Sequence, residues 1–276
     1  MINPKVNILI LNWNGSHILN NCIQSILKST YNNYCITIID NGSSDDSINN
    51  LIENKKIFLI KIGKNLGYSS GYNYAFKKIK NNKDDYYLLL NNDTILNEET
   101  IGHLVDSMKI YGENNIYGPN ILNNNDGRNW FCGGSINLIN GIPYHIGINS
   151  IDSFNIYKTR EVNYISGCCM LISKKLISNL NGFNEIYRMY FEDVDLCIRS
   201  KRFGAKCYYV SNSTIKHLIS YSLGGSFSLK KYLIKVMSLI KFLYINNNIF
   251  LFVIYFFINL LLTPIYSIYF LVKKAL

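Results

Sequence analysis

The chain has 276 residues, 48% of them hydrophobic, and carries a formal net charge of +10. That is room for one large α/β domain, or one domain plus an appendage, with enough apolar residues to bury a core. Its seven cysteines form no CxxC pair and no metal-ligand spacing, so they read as reduced, buried small hydrophobes of a cytosolic domain.

In chain order, VNILIL (Val6–Leu11), CITIID (Cys35–Asp40), IFLIKI (Ile57–Ile62) and YYLLL (Tyr86–Leu90) predict four short strands. Met1 to Lys5 lead directly into Val6–Leu11, a run too short for the h-region of a signal peptide. Ile18–Lys28, Gly71–Lys80 and Glu98–Tyr111 carry apolar residues at helical spacing. The alternation predicts a parallel sheet with helices on both faces. Ligands of such sheets bind beyond the carboxyl ends of the strands. Asn12-Trp13-Asn14-Gly15, Asp40-Asn41-Gly42-Ser43, Gly63 to Gly67 and Asn91-Asn92-Asp93 would share that rim. Residues 120–161 read as loops and hairpins, Val162–Ser173 as one buried strand, and Lys206–Val210 as a short one. From Lys230 the composition changes: Lys230, Lys231, Lys235 and Lys241 sit in an apolar helical pattern. Ile249–Val272 follows without a charge and is closed by Lys273 and Lys274.

Neither a G-x-G-x-x-G turn nor a P-loop is present, which argues against a dinucleotide-binding dehydrogenase or a P-loop NTPase. Asp93, at a strand end, suits a hard divalent cation, or simply a turn. Asp40 has the same two readings. His217 follows the last strand as a structural residue or a ligand, while His17, His103 and His145 have no supporting context. FEDVDLCIRS (Phe191–Ser200) places Glu192, Asp193 and Asp195 within four positions. Acids at a helix start favour its dipole. Partial desolvation beside Met189-Tyr190-Phe191 would also raise a carboxylate toward the range of a general base.

Taken together, D-N-G-S-x-D (Asp40–Asp45), N-L-G-Y (Asn65–Tyr68), L-L-N-N-D-T (Leu89–Thr94), G-x-x-M-L-I (Gly167–Ile172), G-F-N-E (Gly182–Glu185) and F-E-D-V-D-L-C-I-R (Phe191–Arg199), followed by His217, form an ordered set. This set resembles the family-2 inverting glycosyltransferases of the GT-A fold, and most their rhamnosyltransferase-like branch, over about residues 5–225. The resemblance implies a Rossmann-like, mostly parallel α/β sheet with helices on both faces. It also implies a nucleotide-diphospho-sugar donor, a glycan or lipid-linked acceptor, and a divalent cation (Mg²⁺ or Mn²⁺). By that similarity Asp40 contacts the nucleobase or ribose, with Asn12, Trp13, Asn65 and Gly67 nearby. Asn91 stands in the metal motif, where an acid is more usual, and Trp13 stands where a tyrosine is commoner. Asp93 binds metal and diphosphate, and His217 is a further metal or phosphate contact. Asp193 is the catalytic base, Glu192 orients the site or the acceptor, and Asp195 caps the helix.

The expected organisation is a catalytic domain over 1–228 and a membrane-associated helical segment over 229–276, at the cytoplasmic face of the cell membrane. Four lysines before the apolar run against two after it set that orientation. Surface polysaccharide synthesis is the expected role. The alternative is a catalytically inactive, membrane-anchored protein that binds a sugar nucleotide or glycan. A nucleic-acid partner is not expected, because much of the basic charge is scattered or near the tail rather than in a stripe. A glycoside hydrolase would need carboxylates on opposite sides of the scissile bond, which neighbours in sequence do not supply.

Overall fold

The computed structural model describes residues 3–137, 142–151, 158–218 and 229–246, together with positions 250, 253, 254, 257 and 258. The four apolar runs are β1 (Val6–Asn12), β2 (Tyr34–Asp40), β3 (Ile57–Lys61) and β4 (Tyr86–Asn91). They lie in the order β4-β1-β2-β3 and pair in parallel throughout. Ile8, Leu9, Ile10 and Leu88 to Leu90 are fully enclosed, as strands covered on both faces must be. α1 (Leu19–Leu27) joins β1 to β2, and α2 (Tyr68–Ile79) joins β3 back to β4. The two crossovers run in opposite directions along the sheet, so right-handed connection puts these helices on opposite faces.

β5 (Thr94–Leu96), α3 (Thr100–Tyr111), β6 (Ile116–Asn123) and β7 (Asn129–Phe131) follow, then the hairpin of β8 (Gly134–Ile136) and β9 (Pro143–His145). The expected single strand over Val162–Ser173 is instead two: β10 (Arg160–Val162) and β11 (Cys169–Ser173). Between them Gly167 leaves the ladder because its N–H and carbonyl are used by side chains, Asp193 and Tyr68 respectively. β11 runs antiparallel to both β4 and β6, so the sheet is mixed where a mostly parallel one was expected.

α4 (Lys174–Asn179), α5 (Glu192–Ser200) and β12 (Cys207–His217) complete the sheet region. β12 is longer than the short strand expected at Lys206–Val210. An irregularity between Val210 and Thr214 lets it resume pairing with β6 and end at His217. At that end it also pairs with β5, placing His217 opposite Thr94. The final element, α6 (Leu229–Ile245), contributes Phe242 and Leu243 to the same core as the sheet. Among the described residues no helix is long and apolar enough to cross a membrane. Apart from five positions, the uncharged run Ile249–Val272 lies outside the described residues.

Candidate active site

The carboxyl ends of β1, β2 and β4 meet through Asn12. Its side chain donates to Ser43 Oγ at 3.2 Å and Ser47 Oγ at 2.9 Å, and accepts from Asn92 Nδ2 at 2.8 Å. Asn12 is fully buried, and its side chain holds the three loops together. Gly15 is required above it, since a Cβ there would lie 2.4 Å from Asn12 Oδ1. Asp40 Oδ1 accepts from the Ser43 N–H at 3.0 Å. Asn41 reaches across to Asn65 and to the Gly67 carbonyl. Trp13 stands exposed beside this frame, with its indole free to offer a stacking face. Asp40, Trp13, Asn65 and Gly67 thus share one rim. At Gly67, φ is +84° and a Cβ would sit 2.8 Å from the Arg188 carbonyl oxygen.

On the same rim the strand pairing brings Asp93 and His217 together. Both are buried, with Asp93 Oδ1 3.2 Å from His217 Nε2. The Leu218 N–H donates to the Asp93 carbonyl at 2.9 Å, which fixes the approach. Asp93 Oδ1 and His217 Nδ1 have no hydrogen-bond partner, although both are enclosed. Buried polar atoms are almost always paired, so the unsatisfied Asp93 Oδ1, with His217 Nε2 beside it, fits a cation shared by those two atoms. Among the described residues no group of three or more His, Cys, Asp or Glu could hold a metal. Asp93 and His217 are two side chains, as few as a cation completed by phosphate oxygens and water would need. The Asn91 N–H donates to the Cys168 carbonyl at 3.0 Å.

An aromatic wall backs the pair. The Trp130 ring meets His217 edge-on at 4.9 Å and His145 at 4.5 Å. His145 Nδ1 lies 3.2 Å from the Trp130 carbonyl. Burial pushes its pKa down to about 4, despite that hydrogen bond, and keeps the ring neutral. His145 therefore has a place here that its sequence context did not indicate.

The acidic cluster opens α5 after two non-glycine residues in the left-handed region, Tyr190 at φ +70° and Phe191 at +68°. Such conformations are costly for bulky residues and gather at functional sites. Glu192 is buried and its Oε2 has no partner. Burial, then the neighbouring Asp193, holds its carboxyl well above the usual range. Asp193 is half-buried. Its Oδ2 accepts from the Gly167 N–H at 2.8 Å and its Oδ1 from the Val194 N–H at 2.9 Å. Burial raises its pKa and those two N–H groups oppose the rise. Asp195 does not cap the helix, because its carboxylate is taken by Arg199. The two pair at 2.7 Å, and Arg199 in turn donates to the Leu180 and Gly182 carbonyls.

Gly167 and Cys168 join the two halves of the site. Gly167 holds Asp193 through its N–H and accepts from the Tyr68 hydroxyl at 2.6 Å, while Cys168 is tied to Asn91 at the end of β4. The motifs N-L-G-Y and G-x-x-M-L-I contain Tyr68 and Gly167, but their spacing carries no sign that the two residues touch.

A sequence model of the family described as Glycosyl transferase family 2 matches residues 7–180. N-acetylglucosaminyl-diphospho-decaprenol L-rhamnosyltransferase of Mycobacterium tuberculosis (strain ATCC 25618 / H37Rv) is 25% identical over 231 residues, 76% of this chain and 74% of that protein. Rhamnosyltransferase WbbL of Escherichia coli (strain K12) is 25% identical over 209 residues, 67% of this chain and 78% of that protein. In fold, the chain is similar to GalNAc-T7, crystallised with UDP, GalNAc and Mn²⁺. The TM-score is 0.64 at 14% identity, over 83% of this chain and 47% of that one.

Proposed function

The chain belongs to glycosyl transferase family 2, and on that premise we propose that it moves a sugar, with inversion, from a nucleotide-diphospho-sugar to a hydroxyl of a glycan or lipid-linked acceptor. Its place is the cytoplasmic face of the cell membrane, in surface polysaccharide synthesis. The observation that carries this reading is the junction at Gly167–Cys168, which ties the Asp193 carboxylate to the strand end that bears Asp93.

Asp193 is the general base. It takes the proton of the acceptor hydroxyl as that oxygen bonds to the anomeric carbon. The bond from that carbon to the diphosphate oxygen breaks on the opposite side, the nucleoside diphosphate leaves, and the proton remains on Asp193. A carboxyl raised by burial suits this work near neutral pH, where catalytic pKa and operating pH approach each other. Glu192, enclosed beside it and held toward its neutral form, orients the site without adding a second negative charge. A divalent cation held by Asp93 and His217 would supply charge neutralisation to the diphosphate. Asp40, Trp13, Asn65 and Gly67 receive the nucleoside end of the donor.

A lipid-linked acceptor is supported by the mycobacterial relative, an N-acetylglucosaminyl-diphospho-decaprenol L-rhamnosyltransferase. Membrane association is supported by the uncharged run Ile249–Val272 and by the exposed Leu233 and Met237 on α6. The test is incubation with a panel of nucleotide sugars, Mg²⁺ or Mn²⁺, and lipid-linked acceptors, reading released nucleoside diphosphate and the anomeric configuration of the product. Inverted product supports the reading. A retained configuration, or no release from any donor, rejects it.

A further inference from the structure

Helix α6 comes from the segment that sequence assigns to the membrane, yet one of its faces grips the turn that presents the acidic pair. Ser238 Oγ donates to the Met189 carbonyl at 2.8 Å. Lys241 Nζ donates to the Ile186 carbonyl at 3.0 Å. The Phe242 ring packs on Phe191 with centroids 5.3 Å apart. Positions 238, 241 and 242 are spaced i, i+3, i+4 and so share one helix face. Ser238 and Phe242 are both only 3% exposed.

The turn needs such support. Tyr190 and Phe191 are bulky residues in left-handed backbone, a conformation that costs roughly 1–3 kcal/mol each and persists only where the surroundings over-determine it. No side-chain cap holds the start of α5. From the other side the Tyr68 N–H holds the first half of the turn, donating to the Arg188 carbonyl at 2.9 Å. The second half, which leads directly into Glu192 and Asp193, rests on α6.

We infer that α6 is a positioning element of the catalytic site: Ser238 and Phe242 hold the left-handed turn at Tyr190–Phe191 and so set where the Glu192 and Asp193 carboxylates stand. Neither residue touches substrate; both act through the turn. The inference rests on Asp193 being the base, and it makes the C-terminal segment part of the catalytic unit rather than only an anchor.

The experiment uses the full chain, a panel of UDP-, dTDP- and GDP-sugars with Mn²⁺, and the variants Ser238→Ala, Ser238→Thr and Phe242→Leu. Misplacing a reacting group by about 1 Å costs on the order of 10²-fold. Ser238→Ala should therefore lower kcat by roughly 10–100-fold while donor KM stays near the wild-type value. Ser238→Thr, which keeps the hydroxyl, should restore most of the rate. In an Asp193→Asn background Ser238→Ala should cost little more, because no base is left to misplace. Hydrogen exchange gives a second readout that needs no substrate: the amides of Asp193 to Asp195 should exchange faster in Ser238→Ala and Phe242→Leu while β1 and β4 stay protected. Wild-type kcat in a folded Ser238→Ala protein, a loss confined to KM, or full additivity with Asp193→Asn would overturn the inference. If the wild type consumes no donor, the transferase reading fails, and unchanged exchange at Asp193 to Asp195 would overturn this inference separately.

Discussion

Glu192 is destabilising where it stands. It is buried, one of its oxygens has no partner, and its proton affinity is raised by enclosure and by Asp193. A carboxyl whose folded pKa lies above its unfolded value contributes stability at low pH that is lost as pH rises through the folded pKa. Glu192→Gln, which is neutral at every pH, should therefore raise Tm at pH 7 and change it little near pH 4. A thermal scan at the two pH values checks this. His145 has the opposite sign: its pKa is pushed down to about 4, so its contribution is present above the unfolded value of ~6.5 and lost as pH falls toward 4. His145→Phe should flatten the loss of Tm between pH 6.5 and 4. Trp130→Ala removes the edge contact on His217 and should weaken Mn²⁺ binding, read by calorimetry with pyrophosphate present, whereas Trp130→Phe should keep most of it.

At the scale of elements, Gly167 is the joint on which the site turns. A Cβ there would lie 2.7 Å from the Tyr68 hydroxyl and 3.4 Å from Asp193 Cβ. Gly167→Ala should lower turnover by roughly 10-fold or more, through displacement of a reacting group, and lower Tm modestly because the Tyr68 hydroxyl must shift; an unaffected rate would count against the joint. Much of this architecture was legible in the sequence. The strands of β1, β2 and β4 read as continuous apolar runs because both their faces are covered, and their polar ends named the rim. Other features depend on contacts distant in sequence. The antiparallel pairing of β11 with β4 and β6 and the irregularity in β12 that carries His217 to Asp93 leave no local mark. The left-handed turn is formed by Tyr190 and Phe191, neither of which signals positive φ as Gly or Asn would. Asp195 looked like a cap because acids favour helix starts, but Arg199 four residues on pairs with it instead.

For the whole molecule, the division at residue 228 has a consequence that can be measured. Phe242 and Leu243 belong to the core that the sheet builds, and removing a buried Phe typically costs about 3–5 kcal/mol. A chain ending at Ser228 should leave the membrane fraction but also lose most of its thermal stability, whereas one ending at Asn246 should stay folded. Full-length protein recovered entirely in the soluble fraction at physiological salt would contradict the membrane proposal without touching the catalytic one. The catalytic proposal itself stands on the proton acceptor at Asp193. Asparagine there keeps the size of the side chain and an oxygen to accept from the Gly167 or Val194 N–H, but it cannot take a proton. The most direct measurement compares nucleoside diphosphate release by the wild type, Asp193→Asn and Asp195→Asn, with donor affinity measured on each. Loss of a general base costs about 10²–10⁴-fold in rate, so Asp193→Asn should fall by that factor with donor binding retained, and Asp195→Asn should fall far less. A folded Asp193→Asn protein that releases nucleoside diphosphate at the wild-type rate would contradict it.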